Sequence, residues 1–136
     1  MSPSNNLRVV FWDIDDTMFT TTAFVKLARE KAMQAMIDRG LDIPLDKALD
    51  ELTAVVQEFG SNDDRHYNRL LLRMPKTITR KVNQSLLVTA GVIAYHETKW
   101  KHLRIEEDAV QLLRDMANAG IRLGVISAGL LHKQME

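Results

Sequence analysis

VVFWDIDDTMF, residues 9–19, is the stretch whose reading decides the fold. The apolar run from Leu7 to Trp12 is continuous rather than alternating, which predicts a strand buried on both faces, as in a parallel sheet. It stops at Asp13, and Asp15 and Asp16 follow at once. Carboxylates at the carboxyl end of a parallel strand sit where open α/β sheets bind ligands. If the extended path continues, Asp13 and Asp15 share one side and Ile14 points into the packing. Two carboxylates brought together repel unless something offsets their charge. A divalent cation does so, and an oxygen-only site with few ligands suits Mg2+. The same pair can divide catalytic work, one attacking an electrophile while the other moves a proton. A polar turn with helix-capping carboxylates has the same short pattern, so D-x-D alone supports both readings.

Working outward, TTTAFVKLAREKAMQAMIDRG reads as a helix capped by Thr21 or Thr22 and ended by Gly40. Its apolar stripe is Phe24, Leu27, Ala28, Ala35 and Met36. A second helix carries Leu45, Ala48, Leu49, Leu52, Val55, Val56 and Phe59 at helical spacing and ends at Gly60. Ser61, Asn62 and Asp63 offer an N-cap for a third helix with Tyr67, Leu70 and Leu71. Met74-Pro75 breaks it. A longer helical segment runs from Thr77 to His102, with an interruption near Gly91. IEEDAVQLLRDMANAG is a further helix, acidic in its first turn, with Val110, Leu113, Met116 and Ala117 on its face. IRLGVIS is a second buried-type strand, and LLHKQME is a helix beginning. The order predicts a βαβ crossover with a helical bundle inserted after the first strand.

Composition narrows the function classes. Among 136 residues, 18 basic side chains balance 18 acidic ones, and 46% are hydrophobic. Neutrality removes the usual electrostatic argument for nucleic acid or an anionic membrane. There is no cysteine, so disulfides and thiolate metal sites are out. The chain has no apolar run of membrane-spanning length, and MSPSNNLR is no signal peptide. The expectation is a cytoplasmic protein with neither nucleic acid nor membrane as partner.

The apolar strand followed by D-x-D-x-T resembles the first motif of the haloacid dehalogenase (HAD) superfamily. The second strand, ending in Ser127, resembles its second motif, and the separation resembles members whose helical cap follows the first strand. GSNDDRHYNRLL, AGVIAYHETKWKHLR and GIRLGVISAG resemble an archaeal phosphatase branch of that superfamily. The resemblance runs from Leu7 onward. It implies an α/β fold: a partial HAD-like Rossmannoid core with two parallel strands at residues 1–20 and 104–136, and an α-helical cap bundle at 21–103. It implies Asp13 as nucleophile and Mg2+ ligand. Asp15 is implied as general acid and base, with its carbonyl also on Mg2+. Thr17 would orient Asp15, and Ser127 with the Ala128 N–H would hold phosphoryl oxygens. The substrate is a small phosphorylated metabolite. A carboxylate at Asp15 favours phosphate monoesters over haloacids and phosphonates. Asp16 is read as solvent-facing or capping.

Other notable residues have plainer readings. Tyr95, His96 and Lys99 lie within one helical turn and are read as packing and solvated groups rather than substrate contacts. Arg65, Arg69, Arg73 and Arg80 are read as surface charge, the methionines and Trp100 as packing, and His132 and Lys133 as surface. The family's downstream lysine and acidic pair do not occur in this sequence, and Ala128 departs from the acidic or amide residue of near relatives. The expectation is therefore an N-terminal portion, inactive alone, whose partner is a complementing C-terminal fragment or a second copy. The alternative is a non-catalytic binding or assembly module using the helical cap.

Overall fold

The computed structural model describes residues 8–135. In chain order the elements are β1 (Val9–Trp12), α1 (Thr21–Asp38), α2 (Leu45–Phe59), α3 (His66–Arg73), α4 (Lys76–Thr79), α5 (Gln84–His102), α6 (Glu107–Asn118), β2 (Arg122–Val125) and α7 (Leu131–Gln134). Two compact units result. The two ends of the chain, up to Thr22 and from Leu103 onward, build the strand-bearing unit, and Ala23–His102 build the helical one. The architecture is α/β, a two-stranded parallel sheet with a large helical insertion between its strands. Leu7, expected to open the first strand, lies outside the described residues.

In the strand-bearing unit β1 and β2 pair in parallel, from Val9 opposite Arg122 to Trp12 opposite Val125. The ladder continues past both ends, with Arg122 N–H donating to Arg8 O at 3.0 Å and Ile126 N–H to Trp12 O at 2.8 Å. Phe11 faces Gly124, and its ring covers it: a Cβ on Gly124 would lie 2.7 Å from Phe11 Cδ1 and Cε1. This cross-strand lid replaces the side chain that glycine lacks. The expected burial of both strand faces does not hold for the described residues. Phe11 is 61% exposed, Val125 57% and Ile126 63%. The reason is layer count. Helix α6 packs against β2, but the described residues supply no second layer to cover these side chains. Helix α6 buries Ala109 and half-buries Val110, Leu113 and Met116, while Ala117 stays exposed.

Chain geometry pins the insertion where it leaves and rejoins this unit. Phe19 bridges to Ile105, Glu106 N–H donates to Met18 O at 3.1 Å, and Thr20 Oγ1 donates to Glu106 Oε1 at 2.5 Å. Closing the insertion at its base lets the sheet form across it.

The helical unit has its own core. Ala32, Met33, Met36, Leu41, Ala48, Leu52, Val55, Leu70, Leu71, Met74 and Leu87 form one buried cluster, with Tyr67 and Tyr95 packed on it. Burial also raises the pKa of Tyr67. Helix α1 ends as its sequence predicts. Gly40 adopts φ +105°, its N–H reaches Ile37 O, and Leu41 N–H reaches Met36 O at 3.1 Å. This is a Schellman closure whose apolar residue, Leu41, enters the core.

Further expectations need correction. The interruption expected near Gly91 falls at Arg80–Asn83 instead, where Asn83 Oδ1 accepts Leu86 N–H at 3.1 Å and starts α5. Gly91 lies inside a continuous helix because packing demands it: a Cβ there would sit 3.0 Å from Met36 Sδ. Asp63 does not cap α3. It accepts the Arg65 N–H and pairs with Arg69 at 2.9 Å, while Arg69 also covers the Phe59 ring. Trp100, expected to pack, is 57% exposed, with the Lys99 ammonium 5.7 Å from its ring centroid. Met33, Met36 and Met74 are buried as expected, but Met135 is exposed. Arg73 pairs with Glu51 and Glu58 on the surface, in line with its reading as surface charge.

Leu52, fully enclosed in the helical core, provides the test of this packing. Leu52→Ala should destabilise the helical unit by about 2–5 kcal/mol, read as a lowered urea midpoint in helical circular dichroism.

Candidate active site

Parallel pairing places the loops after β1 and β2 at the same end of the sheet. The first loop is Asp13–Thr20 and the second Ile126–Leu130. The first is a tight turn built around one carbonyl. Ile14 O accepts N–H groups from Thr17, Met18 and Phe19, the shortest from Met18 at 2.9 Å. Asp16 takes the left-handed conformation, φ 54°, that aspartate tolerates better than most residues.

The three carboxylates have separate roles within this turn. Asp13 and Asp15 are exposed. Asp13 Oδ2 accepts the Thr17 hydroxyl at 3.2 Å. The hydroxyl expected on Asp15 thus bonds to Asp13, because the turn folds Thr17 back over the strand end. Asp15 Oδ2 instead accepts Gln134 Nε2 from α7 at 3.3 Å. Sequence reasoning missed Gln134. It lies far from the acidic motif in the chain, and only its position in a helix following the second strand could have suggested it.

Asp16 is a helix cap. Its Oδ1 accepts Thr21 N–H at 2.8 Å and Thr22 N–H at 3.1 Å, and Oδ2 accepts the Thr22 hydroxyl at 2.9 Å. Thr21 and Thr22, expected to cap α1, are therefore its capped first turn. Hydrogen bonds from the Thr22 N–H, from Thr21 and from the Thr22 hydroxyl hold the Asp16 pKa below its ordinary value.

In the second loop Ser127 is half-buried and Ala128 exposed. The Gly129 N–H donates to Ser127 Oγ at 3.1 Å. That bond uses an acceptor site of the hydroxyl and leaves its proton available for donation. The Gln134 side chain lies across Gly129 on its way to Asp15.

Among the described residues, no group of three or more His, Cys, Asp or Glu side chains is placed to hold a metal ion. Asp13 and Asp15 do offer hard oxygen donors on one short loop. That donor set fits Mg2+, which takes one or two carboxylates and retains water or phosphate oxygens for the rest of its shell. Asp16 has both oxygens engaged at α1. In the helical unit, Tyr95 packs on the core and meets His96 edge-on at 5.7 Å. No helix among the described residues is long and apolar enough to cross a membrane.

The Asp16 cap predicts a pH dependence. A lowered native pKa stabilises the fold above the ordinary carboxylate range, and the contribution is lost as pH falls through the native value. Asp16→Ala should lower the thermal midpoint at pH 7, and the gap from the unaltered chain should narrow as pH falls below the native pKa of Asp16, leaving the pH-independent cost of alanine at φ 54°. Matched melting curves across that range check it.

No protein-family model matches the chain. It is 42% identical over 130 residues to a glyceraldehyde 3-phosphate phosphatase of Methanothermobacter thermautotrophicus, covering 96% of this chain and 55% of the relative. A protein of the same name from Pyrococcus abyssi is 39% identical over 96% of this chain and 52% of its own length. That of Methanopyrus kandleri is 36% identical, with 96% and 54% covered. The chain spans about half the length of the curated relatives it matches. Over almost all of its own residues, it is similar to the N-terminal part of archaeal proteins named glyceraldehyde 3-phosphate phosphatase.

Proposed function

We propose that this chain carries the nucleophile and acid–base half of a HAD-type phosphate monoester hydrolase acting on a small phosphorylated metabolite, with glyceraldehyde 3-phosphate as the leading candidate. The observation that carries the reading is the juxtaposition of the Asp13–Thr17 turn and the Ser127–Gly129 loop at one end of a parallel sheet. The names of the relatives support it.

In this reading a free oxygen of Asp13 attacks phosphorus, and the bond to the ester oxygen breaks. Thr17 holds the other Asp13 oxygen and fixes the carboxylate for attack. Asp15 gives its proton to the departing alkoxide, then accepts one from the water that attacks the aspartyl-phosphate. That second displacement releases inorganic phosphate and frees Asp13. Ser127 Oγ–H and the Ala128 N–H donate to the equatorial phosphoryl oxygens as their charge changes. Mg2+, held by the Asp13 carboxylate and the Asp15 carbonyl, would supply charge neutralisation for carboxylate and phosphate alike.

The isolated chain is proposed to be a poor catalyst, because its described residues bring no third metal-ligating carboxylate to the two loops. A chimera tests the reading: this chain replaces the matching part of the Methanothermobacter relative. With Mg2+ the chimera should hydrolyse glyceraldehyde 3-phosphate. Asp13→Asn and Asp15→Asn should each cost about 10²–10⁴-fold in kcat. Undiminished turnover in Asp13→Asn would overturn the assignment, as would robust Asp13-dependent turnover by the isolated chain for the claim of incompetence.

A second reading, an assembly module that docks a second copy or a complementing fragment, draws on the exposed Phe11, Val125 and Ile126 side chains. It predicts a concentration-dependent oligomer in sedimentation that Phe11→Ser weakens.

A further inference from the structure

We propose that Gln134 is the positioning residue for Asp15 and that Gly129 is its seat. The inference rests on the reading of Asp15 as acid and base, but it makes a separate structural claim. Asp15 is exposed, and an exposed carboxylate without a fixed donor samples several rotamers. Gln134 Nε2 reaches Asp15 Oδ2 at 3.3 Å from the last turn of α7. That is long for a bond to a carboxylate.

Two observations fix the amide. Gln134 Oε1 is buried with no hydrogen-bond partner among the described residues. Turning the amide over would aim that carbonyl at an anionic acceptor, which is worse than leaving it orphaned. Asp15 therefore dictates which end of the amide faces it. The second observation is Gly129. A Cβ there would collide with Gln134 Nε2 and come within 2.9 Å of Cδ and 3.0 Å of Cγ. The Gln134 side chain can cross the second loop because Gly129 has no side chain. The small residue in SAGLL is thereby linked to the acidic turn: the loop proposed to hold the phosphoryl group also sets the path of the residue that steadies the acid–base group.

The test is spectroscopic and needs no turnover. In the full chain at pH 7, the three-bond couplings between Asp15 Hα and its two Hβ protons should be unequal, reporting one rotamer. In Gln134→Ala they should collapse to a common averaged value. Gly129→Ala retains the amide but should produce the same collapse, because its methyl displaces Gln134. Amide shifts of β1, β2 and α6 control for folding of the strand-bearing unit in both variants. Averaged couplings in the unaltered chain, or unequal couplings that survive Gln134→Ala, would overturn the positioning role. Unequal couplings in Gly129→Ala alone would overturn the seat. Failure of the hydrolase reading would show separately, as unchanged turnover in the Asp13→Asn chimera, and would leave these couplings unaffected.

Discussion

Everything in the candidate site depends on the parallel pairing of two four-residue strands. Trp12 opposite Val125, with Ile126 N–H on Trp12 O, sets the register that brings the Asp13 turn beside the Ser127 loop. Parallel strands need a long crossover, and here the crossover includes a helical insertion with its own core. The pairing tolerates that length because the insertion is tied off at its base by Phe19, Ile105, Thr20 and Glu106. The entropy of the loop is thus confined to a region already ordered by its own packing.

The acidic turn shows how one short segment serves folding and chemistry together. Asp16 uses both oxygens on the first turn of α1, in a backbone conformation few other residues would accept. Its negative charge also suits the positive end of the helix dipole. Asp13 accepts the Thr17 hydroxyl, Asp15 accepts the Gln134 amide, and both carboxylates are exposed. Three neighbouring carboxylates are tolerable because one is neutralised by a helix end while the other two remain free to meet water or a ligand.

Much of this was legible in the chain. The apolar run before Asp13, the glycine stops at Gly40, Gly60 and Gly120, and the helical spacing of Ala48, Leu52 and Val55 are local signals, and local sterics and burial enforce them. Gly91 misled the reading for a physical reason. A glycine marks either a break or a close approach, and only the position of Met36 across the bundle distinguishes the two. Trp100 misled it similarly, since apolar neighbours along a helix do not reveal which face the core occupies.

The sequence by itself determined most of the elements and their α/β order, because strand and helix periods, caps and breakers act over a few residues. Only the tertiary structure decided how the carboxylates are partnered. Thr17 turns back to Asp13, Asp16 goes to α1, and Asp15 is met by a glutamine from the far end of the chain. Those partnerships depend on backbone direction within the turn and on strand register, so no short window of residues contains them. The same holds for the exposed sheet face. The apolar run around Phe11 marks it as fit for burial, but burial is a property of the layers that assemble around a strand.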